Sequence, residues 1–257
     1  MSTTLPSLFV SHGAPTLAVE SNAVTQAWGR LAQELPRPES ILMVSAHWDT
    51  PAPAVSSASK PETIHDFSGF PRELYDVRYP ASGAPALARR AKALLDGAGL
   101  ETAVDPARGL DHGAWVPLKW MYPEADIPVT QLAVQSRLGT KHHHDLGRAL
   151  APLRKEGVLV FGSGGIVHNL RELDWGRTGA VMDWARAFND WIALHLERGD
   201  TEALLDYRKR APQPARAHPT EEHFDPFFVA MGAGGKPKRI DLGFDYGSLG
   251  MDAWLFQ

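Results

Sequence analysis

Ile41-Leu42-Met43-Val44-Ser45-Ala46-His47-Trp48 is the stretch on which the reading of this chain turns. Its apolar run is too short for an ordinary helix. A continuous apolar run bounded by Pro and polar residues suits a strand buried on both faces. It delivers an imidazole, His47, at its end. In an open α/β sheet, ligands bind outside the carboxyl ends of such strands. Working outward, Leu8-Phe9-Val10-Ser11-His12-Gly13 is a second short apolar run that also ends in Ser-His, and Gly13-Ala14-Pro15 break it. Between the two, residues 22–34 carry Val24, Trp28, Leu31 and Ala32 at helical spacing, and Pro36 and Pro38 end that helix. The result is a βαβ unit with an imidazole at the tip of each strand. Further on, Gly157-Val158-Leu159-Val160-Phe161-Gly162-Ser163-Gly164-Gly165 is another buried strand, and His168-Asn169 follow its glycines.

The remaining pattern predicts an α/β protein, a three-layer α/β/α arrangement around a mainly parallel or mixed sheet, with residues 1–257 forming a single catalytic domain. An edge strand is expected near Ala54-Val55, an ordered aromatic loop over a pocket at 63–71, and a brief extended piece at 74–79. Residues 84–97 are an amphipathic helix closed by Gly97 and Gly99. Short strands are expected at 102–104 and 128–134, and residues 109–118 form a loop entering a short helix. Residues 141–153 form a helix that begins His142-His143-His144. Residues 178–196 form the strongest helix, with Thr178 as its cap. Residues 208–219 are irregular, and Pro226 sits in the first turn of a helix after His223. Residues 233–236 are a turn, and residues 244–256 close the chain as a hairpin or edge strand. No linker or internal repeat divides the sequence.

Composition narrows the function. The chain has 257 residues, is 44% hydrophobic and 22% charged, and carries a formal net charge of -4. That charge gives no reason to expect nucleic acid or an anionic membrane as partner. Cys is absent, which removes disulfides and thiolate chemistry. No apolar run approaches a membrane span of roughly 20 residues. Residues 1–6 lack the basic start and apolar run of a signal peptide, so a cytoplasmic location is expected. A homo-oligomer is compatible with the sequence.

Eleven histidines stand out. His12, His47, His112, His168 and His223 each sit at a strand end, a Gly turn or a helix start, the positions where metal ligands and proton-transfer groups are useful. Their spacings match no short zinc signature. His142–His144 read as the polar start of a surface helix, His195 as a cation at a helix C-terminus, and His218 as a loop residue. Gly162-Ser163-Gly164-Gly165 lacks the Lys-Ser/Thr of a phosphate loop, and no G-x-S-x-G elbow is present. Trp48 and His65 are candidates to wall an aromatic substrate.

Taken in order, several motifs resemble one family: Ser11-His12-Gly13-Ala14-Pro15, Ser45-Ala46-His47-Trp48, His65-Asp66-Phe67-Ser68-Gly69-Phe70-Pro71, Leu110-Asp111-His112-Gly113-Ala114-Trp115, Gly162-Ser163-Gly164 with His168-Asn169, and Thr220-Glu221-Glu222-His223. This is the class III extradiol ring-cleavage dioxygenase family of the DOPA 4,5-dioxygenase type, related to the catalytic subunit of protocatechuate 4,5-dioxygenase. The similarity runs from about Ser11 to Met231. It implies one divalent metal held by His12, His47 and His223, with His168 as active-site base or fourth ligand and His112 touching substrate or dioxygen. Protocatechuate-type relatives carry Glu at the third ligand position, whereas this chain offers His223 beside Glu221 and Glu222. Fe²⁺ is implied for ring opening of a small aromatic diol with O₂, and Zn²⁺ also suits an all-imidazole site. A zinc hydrolase using the same residues and a non-catalytic binding relative are the alternative readings.

Overall fold

Apolar runs between chain breakers become strands, and amphipathic segments become the helices that cover them. The computed structural model describes residues 4–176 and 178–257; residues 1–3, on which part of the leader reading rests, lie outside the described residues. The first half runs β1 (Ser7–Ser11), α1 (Ala23–Glu34), β2 (Ser40–Asp49), β3 (Ala54–Ser56), α2 (Arg72–Asp76), α3 (Pro85–Gly97), β4 (Ala103–Asp105) and α4 (His112–Met121). Then come β5 (Val129–Val134), α5 (Gly139–Leu150), β6 (Val158–Gly164), α6 (Asp183–Glu197), α7 (Thr201–Leu205), α8 (Tyr207–Arg210), α9 (Pro214–Ala217) and α10 (Asp225–Ala233). The chain closes with β7 (Pro237–Ile240), β8 (Phe244–Asp245), β9 (Leu249–Gly250) and β10 (Ala253–Phe256).

Eight strands form one sheet in the order β4-β3-β5-β2-β6-β1-β10-β7. Its centre, β5-β2-β6-β1, is parallel. Antiparallel pairing enters where β3 meets β5 and where β10 joins β1 and β7. The expected mixed sheet is therefore present, and strand alternation assigns its two faces. Leu8, Val10, Ile41, Met43, Leu159 and Phe161 pack with Trp28 of α1 and Trp115 of α4. On the other face, Leu42, Val44 and Val160 pack with α3 and α5, and Phe9 packs with Phe188 of α6 and Phe227 of α10. Three layers result.

Several local expectations are corrected. The extended piece expected at 74–79 does not begin at Leu74: Leu74–Asp76 belong to α2, a turn entered from Pro71 with Leu74 buried against the core, and the backbone turns extended only at Val77. β3 is not an edge strand, because β4 pairs outside it. Residues 244–256 do open with the expected hairpin, β8 paired antiparallel with β9, while β10 is interior, because β7 covers it. Thr178 does not cap α6: its N–H and hydroxyl both donate to the Asp174 carboxylate, and the helix starts at Asp183 without a side-chain cap. By contrast Asn22 closes a capping box with Thr25 at the start of α1. His143 is no surface residue. It is fully buried, accepting from the Gln135 N–H at Nε2 and donating to the Gly139 carbonyl at Nδ1, 3.1 Å from the Asp225 carboxylate.

The glycines of β6 have a packing role. A Cβ on Gly162 would lie 2.3 Å from the Pro226 carbonyl oxygen, and one on Gly164 would lie 2.0 Å from that of His223. Their bare backbone lets the entry to α10 lie directly on the sheet, which sets the height of His223. Gly164→Ala is expected to cost about 1–3 kcal/mol by overpacking, read as a lower urea midpoint; an unchanged midpoint would contradict this contact.

His218 is fully buried, stacked on Phe224 at 4.8 Å, with Nε2 donating to the Ile166 carbonyl. Burial pushes its pKa from 6.5 down to about 3, with the nearby Arg208 cation acting the same way and the Ile166 bond opposing. In that window the unfolded chain binds more protons than the folded one, so this contribution is fully present above pH 6.5 and is lost as pH falls towards 3. Between pH 8 and 5 the ring is expected to cost the fold on the order of 2 kcal/mol. His218→Gln should flatten the pH dependence of the urea midpoint.

Candidate metal centre

The carboxyl ends of β1, β2 and β6 bring the chemistry together. His12 follows β1, His47 lies in the last turn-ward residues of β2, and His223 precedes α10. The nearest ring nitrogens of His12, His47 and His223 all lie within 4.8 Å of one another, and the Nε2 atoms of His12 and His47 are 3.1 Å apart. Nitrogens sharing one tetrahedral ion at about 2.1 Å lie about 3.4 Å apart, so the spacing fits a common cation.

The partners of the other ring nitrogens settle where the protons sit. The Ser163 hydroxyl donates to the Gly113 carbonyl at 2.5 Å, so its oxygen accepts from His12 Nδ1 at 3.0 Å. That leaves the lone pair of His12 on Nε2, facing His47. His47 Nδ1 lies 3.4 Å from Asp66, and His223 Nδ1 lies 3.0 Å from Glu222. Each imidazole thus has an acceptor for an Nδ1 proton and a bare Nε2, the arrangement by which outer partners orient metal-binding histidines. Burial, first, and neighbouring histidines, second, hold His12 and His223 well below the ordinary imidazole range and His47 at about 4. Rings already neutral at pH 7 take a cation without releasing protons. Three neutral imidazoles are a donor set that suits Fe²⁺ or Zn²⁺.

A second group sits beside this one. His112 heads α4, its ring 3.9 Å from that of His47 between centroids. Asp66 faces both rings: its Oδ1 accepts from the His112 N–H at 2.9 Å and lies 3.0 Å from His112 Nδ1, which is off the line of a hydrogen bond. Burial raises the Asp66 pKa, but His112 outweighs it and holds the carboxyl at about 2. His168 stacks on His223 with centroids 3.5 Å apart and planes at 7°. One of its ring nitrogens groups with Glu222 and His223, a set that shares His223 with the group of His12 and His47. Burial, then the charges of His218, His47 and His112, lower its pKa to about 3.

Beneath His47 lies a buried polar network. Asp111, fully buried, accepts from Ser45, Gln131 and Arg108, and caps α4 through the Ala114 N–H. Arg108 also donates to the His47 carbonyl at 3.2 Å. Asp66, Asp111 and Ser163 were visible in the sequence only as parts of motifs, and nothing there assigned them a role.

These residues open into a cavity of about 320 Å³ lined by His12, His47, Asp66, His112, His168 and His223 at its polar end. Two sequence assignments are corrected here. Trp48 alternates to the opposite side of β2, against Ala54 and Ala133, with Arg108 over its ring. His65 is not among the residues lining the cavity; its Nε2 lies 3.0 Å from the Val77 carbonyl and its ring packs near Phe67 and Trp115. It holds the loop whose next residues, Asp66 and Phe67, do line the cavity.

A histidine cluster at the carboxyl ends of an α/β sheet, opening into a cavity, suits a metal-dependent enzyme. Residues 5–251 match the family described as the catalytic LigB subunit of aromatic ring-opening dioxygenase, and the chain belongs to that family. It is 45% identical over 238 residues to a 4,5-DOPA dioxygenase extradiol from Beta vulgaris, covering 91% of this chain and 88% of the relative. It is 42% identical over 257 residues to one from Escherichia coli K12, covering 97% and 94%. The crystal structure of an uncharacterized Escherichia coli K12 protein superposes with a TM-score of 0.82 at 35% identity, covering 98% of this chain and 100% of that one. The chain is a ring-cleaving dioxygenase, and the hydrolase and binding-protein alternatives fall away. No helix among the described residues is long and apolar enough to cross a membrane.

Ser163→Ala removes the acceptor that sets the His12 tautomer. Fe²⁺ or Zn²⁺ affinity, measured against a competing chelator, should fall about 10–100-fold while the circular dichroism spectrum is unchanged. Wild-type affinity in this variant would contradict the role of Ser163.

Proposed function

We propose that His12, His47 and His223 hold one Fe²⁺ in a single cytoplasmic catalytic domain spanning residues 1–257, and that the site opens a catechol ring outside its two hydroxyls with O₂. The observation that carries this reading is the convergence of three imidazoles, each with its Nδ1 beside an acceptor, at the polar end of a cavity with apolar walls. Bound ferrous iron would hold both catechol oxygens and dioxygen on one centre and pass electrons between them.

The chain's own residues do the rest. His168, kept neutral by burial, accepts a proton from a catechol hydroxyl and later returns it. His112 presents its ring beside His47, where it contacts the reacting oxygens. Asp66 keeps His47 and His112 in register through their Nδ1 edges. Phe67 and Leu249 wall the ring and exclude water from it. Positioning of this kind supplies much of the rate.

The test is oxygen uptake by Fe²⁺-loaded protein with 4-methylcatechol, together with the appearance of a yellow ring-fission product; Zn²⁺-loaded protein should take up no oxygen. His168→Ala is expected to lower turnover by roughly 10²–10⁴-fold with metal content near wild type. Loss of the metal in that variant would make His168 a ligand. His12→Ala, His47→Ala and His223→Ala should each lose metal, and retained stoichiometric iron in any of them would remove that residue from the ligand set.

A further inference from the structure

A second crevice, of about 280 Å³, shares no lining residue with the metal centre. It is bounded by α5, by the turn from α6 into α7, and by the far end of α10. At about 1.5 Å per residue, the helix α10 carries its end, Met231 and Gly232, on the order of 10 Å from its entry beside His223. The crevice has an apolar floor, in which Leu196, Leu204 and Phe256 are buried. Gly234 and Gly235 close one side as bare backbone: a Cβ on Gly234 would lie 2.0 Å from the Phe256 Cβ, and one on Gly235 would lie 2.2 Å from the Gln257 carbonyl oxygen.

Above the floor are polar groups with nothing to bind. His144 and Arg148 stand four residues apart on one face of α5, and Thr201 opens α7 opposite them. The His144 ring, the Arg148 guanidinium and the Thr201 hydroxyl make no hydrogen bond or ion pair among the described residues. Burial lowers the His144 pKa, with Asp145 opposing and Arg148 and Lys141 reinforcing, so a neutral ring stands beside the Arg148 cation. No Asp or Glu lines the crevice, and none of the residues outside the described set is acidic. The acids nearest in sequence are engaged elsewhere: Asp145 with Lys141, Asp200 with His195 and Glu202 with Arg210. Exposed Lys236 adds a second cation between the lining residues Gly235 and Pro237.

We infer that this crevice is a second ligand site, separate from the metal centre, and that it takes a small organic carboxylate. The apolar body lies against Leu196, Leu204 and Phe256, and Arg148 holds the carboxylate, with Thr201 and His144 donating to its remaining lone pairs. A guanidinium matches a carboxylate through two parallel N–H donors, the stronger kind of charge-assisted bond. Covering the floor with an apolar body removes its surface from water, which is favourable. An inorganic anion would leave that floor wet, a neutral amide would forgo the charge, and an amine would meet Arg148 and Lys236.

The experiment follows the imidazole C–H signals of Zn²⁺-loaded protein by NMR during titration with sodium benzoate, inorganic phosphate and benzamide, the His144 signal being assigned from His144→Gln. Benzoate is expected to shift that signal saturably and to bind at least about 10-fold tighter than phosphate or benzamide. Arg148→Glu, a change at an exposed position, should weaken benzoate at least about 10-fold with zinc content unchanged. Folded His12→Ala, which disturbs the metal centre, should keep the His144 response. No saturable shift of His144, or phosphate or benzamide binding as tightly as benzoate, overturns the inference. So does wild-type benzoate affinity in Arg148→Glu, or loss of the response in His12→Ala, which would place the benzoate at the metal instead.

Discussion

Imidazoles buried within 4.8 Å of one another can share a site only as neutral rings, because each added proton would place a desolvated charge against its neighbours. Much of the architecture follows from that constraint. Each ring needs somewhere to put an Nδ1 proton so that Nε2 stays bare. Ser163, Asp66 and Glu222 supply those places from β6, from the loop after His65 and from the entry to α10. The three acceptors differ in chemistry. Ser163 is a neutral acceptor whose own proton is committed to Gly113, whereas Asp66 and Glu222 are carboxylates. A cation bound between the rings would therefore meet a neutral first layer with negative charge directly behind two of its members, which raises ligand basicity without placing a carboxylate on the ion.

The sheet makes this arrangement rigid. β6 lies between β1 and β2, so His12 and His47 come from strands that are not neighbours, and Ser163 rises from the strand separating them. The same strand carries glycines on its other face, and the backbone of His223 and Pro226 lies against them. One segment, Gly162-Ser163-Gly164, thus sets both the tautomer of one imidazole and the position of another. The network around Asp111 steadies the third by holding the His47 backbone through Arg108.

The central strands were legible because burial on both faces leaves a continuous apolar run, and because the chain breakers around Ile41–Trp48 and Val158–Gly164 are unambiguous. The imidazoles at their ends were legible for the same reason. What could not be read was long-range. The insertion of β6 between β1 and β2 is a tertiary event with no local signature. Trp48 follows a site residue in sequence but lies across the sheet from it, the consequence of strand alternation. His143 looked like surface because its neighbours His142 and His144 are polar, yet α10 covers it and Asp225 faces it. Gly162-Ser163-Gly164 looked like a poor phosphate loop, since a glycine that admits a ligand and one that admits another backbone are the same letter.

Anomalous diffraction at the iron edge, on crystals of protein loaded with Fe²⁺ without oxygen, tests the central claim most directly. A single peak is predicted at about 2.0–2.2 Å from one ring nitrogen each of His12, His47 and His223, with His168 beyond bonding distance and the Nδ1 partners of the three rings in place. A peak held instead between Asp66 and His112, or no ordered iron near these residues, would contradict it.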